Sequence, residues 1–170
     1  MKYLLLFIPL LMMAFEDFRH RAIHWAWLLV LSGGILWCYR FKAGQFIANI
    51  ILVAFQLMAL TLYFTIKQKK LVYLPSDHLG WGDIFFYVPL CLFFSPENLV
   101  FFTVLSLLLT LVAFRSYQLF HRNATVTVPL AGCMSICLIA AMTVGFILDF
   151  DFKHDSMVWQ IASTSKLYQY

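Results

Sequence analysis

Six apolar runs, each cut off by a few charged or turn-forming residues, make up most of the chain and constrain it more than any other feature. They cover residues 3–18, 23–39, 46–66, 79–94, 98–114 and 128–148. A helix that crosses a bilayer needs about 20 mostly apolar residues, because within lipid every backbone N–H and C=O must be satisfied inside the segment. Of the 170 residues, 63% are hydrophobic and 12% charged, against roughly 45–50% and about 25% in soluble domains, so there is too little polar surface to wrap a water-soluble core. The expectation is an all-α polytopic membrane helix bundle of about six transmembrane helices over residues 1–148, with 149–170 a C-terminal tail that is interfacial or disordered.

The ends of the runs carry the next signals. The second has Trp25 and Trp27 at one end and Trp37 and Tyr39 at the other, the two aromatic belts of a spanning helix. Lys2 with the apolar stretch behind it has the look of a signal peptide, but no small-x-small cleavage site precedes Glu16 and Asp17, so it is expected to stay as a first span. The formal net charge of +4 comes from basic residues that punctuate the runs rather than cluster. They read as topology signals, and the expected partner is the lipid bilayer, with no nucleic acid.

Placing the N-terminus outside puts Arg19, Arg21, Lys67, Lys69, Lys70, Arg115 and Arg122 in the inner loops, seven basic residues against five outside (Lys2, Arg40, Lys42, Lys153 and Lys166). A multi-pass protein of the cell inner membrane follows. Cys38, Cys91, Cys133 and Cys137 all fall inside apolar runs without a Cys-x-x-Cys pair, and so read as small hydrophobes. Cys133 and Cys137, one helical turn apart, are a minor candidate for a soft metal.

This topology brings the end of the first run and the start of the fourth to the cytoplasmic face, so Asp17 and Asp83 fall at one depth. Asp83 closes Gly80-Trp81-Gly82-Asp83, and Pro75, Ser76, Asp77 and His78 just before it imply a loop entering the helix. The glycines Gly80 and Gly82 let backbone or an extended substrate come close. Cleaving a peptide bond requires activating a water while the carbonyl oxygen is protonated, and two carboxylates sharing one proton can do both. The plain structural alternative is that Asp83 caps its helix and Asp17 pairs with Arg19 or Arg21.

Asp17 followed by Arg21 and Ile23, then Gly80-Trp81-Gly82-Asp83, then Val128-Pro129-Leu130 at the last run, resembles the type IV prepilin peptidases, a family of membrane aspartyl peptidases, in its small single-domain form. The resemblance spans nearly the whole chain in run count and motif order. It implies that Asp17 and Asp83 are the catalytic pair, with Gly80, Gly82, Arg21 and Pro129 supporting the site or the substrate. It also implies that the substrate is a pilin-like precursor whose short basic leader is cut at the cytoplasmic face, and that no cofactor is needed. The chain departs from the family pattern at Ile23-His24-Trp25, where Ile-Pro-Asn is usual, and at Phe85, where Lys is usual. It has no room or cysteines for the Cys-rich segment of the larger enzymes, so no methyltransferase activity is expected.

Other readings rest on fewer residues. Asp17, His20 and His24 would share one face of a continuous helix and could ligate a divalent metal. Leu31-Ser32-Gly33-Gly34 lacks the leading glycine of a rhomboid-type nucleophile motif, and Pro129-Leu130-Ala131 only shuffles the Pro-Ala-Leu of presenilin-like proteases. No acid sits mid-run as in a transporter. The departures at His24, Trp25 and Phe85 motivate the main alternative, a catalytically silent membrane protein that binds a single-span partner or assists pilus or secretion assembly.

Overall fold

The computed structural model describes residues 4–69, 80–120 and 129–147. The expectations for the Pro75–His78 loop and for the 149–170 tail lie outside the described residues. Within them the chain forms six helices and no strand: α1 Leu4–His20, α2 Trp25–Cys38, α3 Ala43–Gln68, α4 Trp81–Phe93, α5 Pro96–Phe120 and α6 Leu130–Ile147. Each falls on one apolar run. Helix α5 continues from the expected end at 114 to Phe120, because Arg115 and Ser116 end the apolar stretch without ending a helix.

Three helices hold stretches long and apolar enough to cross a membrane, Ala43–Lys67, Pro96–Ser116 and Leu130–Ile147. The other three are shorter. With 17, 14 and 13 residues, α1, α2 and α4 rise about 26, 21 and 20 Å at 1.5 Å per residue, short of a hydrocarbon core of about 30 Å. The described residues are thus all-helical outside their turns, with three candidate spans among them, and lipid contact suits their exposed apolar faces.

Packing follows the position of each apolar face. On α1, Leu6, Leu10, Met13 and Asp17 recur at helical spacing and are all buried, turned toward α2 and α6. The opposite face, with Leu5, Ile8 and Phe15, is exposed, as befits a helix solvated by lipid. Helix α1 can lie close on α2 because Gly34 has no side chain; a Cβ there would stand 2.6 Å from Leu6 Cδ2. Helix α4 touches α2, α3, α5 and α6, and its Phe86, Leu90, Cys91 and Phe93 are almost wholly buried. Helix α3 packs only on α4 and α5 among the stronger contacts and leaves Ile47, Ile51, Phe55 and Leu62 exposed.

The turn from α4 to α5 poses a polar problem. A helix leaves its last carbonyls unpaired, and here the surroundings are buried Phe93, Phe94 and Leu99. Asn49, fully buried on α3, resolves it: its Nδ2 donates to the Cys91 carbonyl at 2.9 Å and to the Phe94 carbonyl at 2.8 Å. Non-helical backbone in an apolar setting is stable when protein groups satisfy it in this way. Between α5 and α6, the buried hydroxyls of Thr103, Ser106, Thr110 and Ser135 bond carbonyls of their own helices. Small residues that satisfy themselves allow the two helices a close approach.

Helix α1 stops at a defined point. Arg21 takes a left-handed φ of 55°, and its N–H donates to the Asp17 carbonyl at 3.1 Å, a left-handed cap that turns the chain out of the helix. The turn is then clamped by Glu16, whose Oε2 accepts the His24 N–H at 3.0 Å and whose Oε1 accepts the Trp27 indole N–H at 2.9 Å. The end of α1 is therefore fixed to the start of α2.

Candidate active site

The C-terminal end of α1, the N-terminal end of α4 and the N-terminal end of α6 meet at one end of the bundle. Asp17 lies in the last turn of α1 and is buried, with 7% exposure. Asp83 is the third residue of α4 and half-buried. Helix α6 begins just after Pro129, whose carbonyl accepts the Cys133 N–H at 3.2 Å, and its first amides have no partner within the helix.

Two consecutive amides of that first turn each hold one acid. The Gly132 N–H donates to Asp17 Oδ2 at 2.6 Å, and the Ala131 N–H donates to Asp83 Oδ1 at 3.0 Å. Adjacent residues have Cα atoms about 3.8 Å apart, so acids held by neighbouring amides are drawn to one place, near enough for the charge of Asp17 to act on Asp83. The positive end of the α6 dipole faces them, which favours negative charge. Asp83 also accepts the Gly80 N–H on Oδ2 at 3.2 Å, so both of its oxygens are engaged by backbone.

Gly80 takes an extended conformation at the start of α4 and serves as one of the two donors to Asp83. Gly82 lies against Ile23, where a Cβ would make an ordinary contact of 3.4 Å with Ile23 Cδ1. Arg21 stands just beyond α1, close enough for its charge to act on Asp17. Arg19 instead lies over the Phe15 ring, 5.7 Å from its centroid. The helix-capping role weighed for Asp83 is realised through Gly80, and it coexists with the bond to α6. Trp81 and Phe85 stack at 5.9 Å on an exposed face of α4.

The Asp17, His20 and His24 metal face does not form. Its premise is one continuous helix, and the left-handed Arg21 ends α1 after His20. His24 stands at the start of α2 with its amide on Glu16. Among the described residues no three His, Cys, Asp or Glu side chains converge as metal ligands. Cys133 and Thr110 face the same cavity from α6 and α5.

Beside the pair, a cavity of about 520 Å³ opens between the end of α1, α5 and α6, lined by Phe18, Arg21, Thr110, Phe114, Pro129 and Cys133 among others. Its walls are mainly apolar; neither acid lines it, and Arg21, whose charge acts on Asp17, is the charged residue in its wall. Tyr87, one turn beyond Asp83 on α4, is buried within reach of the Asp83 charge. Ala131, Gly132, Glu16, Trp27 and Tyr87 are the site residues that sequence reasoning missed. Only Glu16 and Tyr87 left a trace, Glu16 by adjoining Asp17 and Tyr87 by following Asp83 at i+4.

No family model matches the chain, and neither the curated proteins nor the solved structures contain a match to it.

Proposed function

We propose that the chain is a multi-pass membrane aspartyl endopeptidase in which Asp17 and Asp83 act as one dyad. The observation that carries the reading is the pair of consecutive α6 amides that hold one oxygen of each carboxylate. An ionised member of the pair takes a proton from water, and the water oxygen attacks the scissile carbonyl carbon. The protonated member gives its proton to the carbonyl oxygen. As the tetrahedral intermediate collapses, the C–N bond breaks and the departing amine leaves with a proton from the dyad. The pair titrates as a unit, so the roles belong to the dyad. This chemistry requires no cofactor.

The substrate in this reading is a pilin-like precursor, a short basic leader followed by an apolar helix, cut at the cytoplasmic face. All six helices cross or enter the inner membrane with the N-terminus outside, which puts the starts of α4 and α6 and the end of α1 on the cytoplasmic side. The apolar cavity lined by Phe18, Phe114 and Pro129 suits an apolar segment next to the cut.

A second reading has one observation of its own. Both Asp83 oxygens accept backbone N–H groups, the role of a carboxylate that ties helix ends together, and a silent partner-binding protein would retain it. The discriminating experiment presents a basic-leader, single-helix substrate to inside-out and right-side-out vesicles holding the native chain. The peptidase reading expects leader removal in inside-out vesicles only, unchanged by a metal chelator and lost in Asp17→Asn and Asp83→Asn. Leader retention across a panel of such substrates, with pilus or secretion function unaltered by both Asn variants, would establish the silent reading instead.

A further inference from the structure

We propose that Gly132 is a positioning residue: its bare α-carbon lets the first turn of α6 approach α1 closely enough to place one amide on Asp17 while Ala131 places the next on Asp83. The inference rests on the aspartyl peptidase reading and specifies how its two carboxylates are kept in register.

The crowding around residue 132 is the ground for it. A Cβ there would stand 3.0 Å from Asp17 Oδ2, 3.2 Å from Asp17 Cβ and 3.3 Å from Phe18 Cε2. The Asp17 Cβ is bonded to the α1 backbone, so a rotamer change cannot clear it and the end of α1 itself must recede. The hydrogen bond from the Gly132 N–H to Asp17 Oδ2, 2.6 Å, is shorter than the usual range of about 2.7–3.2 Å for N–H···O contacts, so the two helix ends already stand as close as this contact allows, and an added Cβ would crowd the oxygen that the N–H holds. Torsion is not the reason for glycine, since among the described residues no glycine has a positive φ. Space is. Gly33, exposed on α2, has nothing within 4 Å of an added Cβ and provides the contrast.

A shift of a few tenths of an ångström would leave the helices packed but spoil the alignment of two groups that must act on one water. Misplacement by about 1 Å can cost about a hundredfold in rate, so the smaller shift is expected to lower kcat about tenfold. Phe18 lines the cavity and also borders the added Cβ, but its ring can turn aside, so the larger effect is expected on kcat and not on KM.

The test compares the native full chain, Gly132→Ala and Gly33→Ala in proteoliposomes with a basic-leader substrate, and maps labelling of Asp17 by a hydrophobic carbodiimide with mass spectrometry. Gly132→Ala is expected to lower kcat about tenfold with KM within about twofold, and to raise Asp17 labelling severalfold as the added methyl crowds the carboxylate oxygen away from the amide at 132. Gly33→Ala should match the native chain in both. A rise in KM alone, a kcat within about twofold of native, or unchanged labelling would overturn the assignment. If Gly132→Ala does not fold, Ala131→Pro decides. It deletes the Asp83 donor without adding bulk at 132, in a first turn that tolerates proline, and the same fall in kcat is expected. A native chain that cuts nothing, with labelling still raised in Gly132→Ala, would instead show that the peptidase reading has failed, and the positioning role in catalysis with it.

Discussion

Asp83 accepts two backbone hydrogen bonds, from Gly80 at the cap of its own helix and from Ala131 across the bundle, and packing and catalysis call for different things from its side chain. Both need an acceptor; only catalysis needs an ionisable group. Asparagine keeps one carbonyl oxygen that can still accept from Ala131 or Gly80, whereas alanine leaves both amides without a partner. Asp83→Asn is therefore expected to unfold within about 0.5 kcal/mol of native, and Asp83→Ala to lose about 1–2 kcal/mol, as for loss of a capping acceptor. Unfolding in a mild detergent by denaturant titration measures both. A neutral alanine variant would show that the two bonds contribute nothing to the bundle.

At the scale of the elements, the short α4 is held at both ends, by α6 at its start and by α3 at its finish. The finish depends on Asn49. Replacing it with leucine keeps the volume but strips the Cys91 and Phe94 carbonyls of their donor in a buried setting, at a cost of about 2–3 kcal/mol. Asn49→Leu should accordingly unfold at clearly lower denaturant than native, while an exposed α3 substitution such as Phe55→Leu stays close to it. Equal stability of Asn49→Leu would mean that the α4–α5 turn finds its donors elsewhere.

These elements also show where the sequence speaks and where it is silent. Apolar runs broken by charge located all six helices, because length and apolarity are properties of the residues themselves. Asp17 and Asp83 stood out as candidates because a carboxylate beside an apolar run is costly and needs a reason. The groups that bring the two acids together were not legible, since a backbone N–H belongs to every residue and nothing in Ala131-Gly132 marks its amides as donors. Asn49 announces that a polar partner exists within an apolar run, but the carbonyls it serves are 42 and 45 residues away. The metal face at Asp17, His20 and His24 failed for a local reason, a left-handed Arg21 that periodicity alone does not reveal.

For the whole molecule, the arrangement is a bundle whose two candidate catalytic acids arrive on different helices and are registered by a third. Removing any helix end would separate them, so function in this account belongs to the assembly of α1, α4 and α6. A dyad has a kinetic signature that two independent helper residues lack: once one member is lost, losing the second costs nothing more. The decisive measurement is kcat/KM for leader removal by the native chain, Asp17→Asn, Asp83→Asn and the double variant, each confirmed as folded and inserted in the membrane. The account predicts a loss of about a thousandfold or more in each single variant and a double variant within about threefold of either single one. A single variant that cuts within about tenfold of native, or two losses that multiply in the double variant, would contradict it.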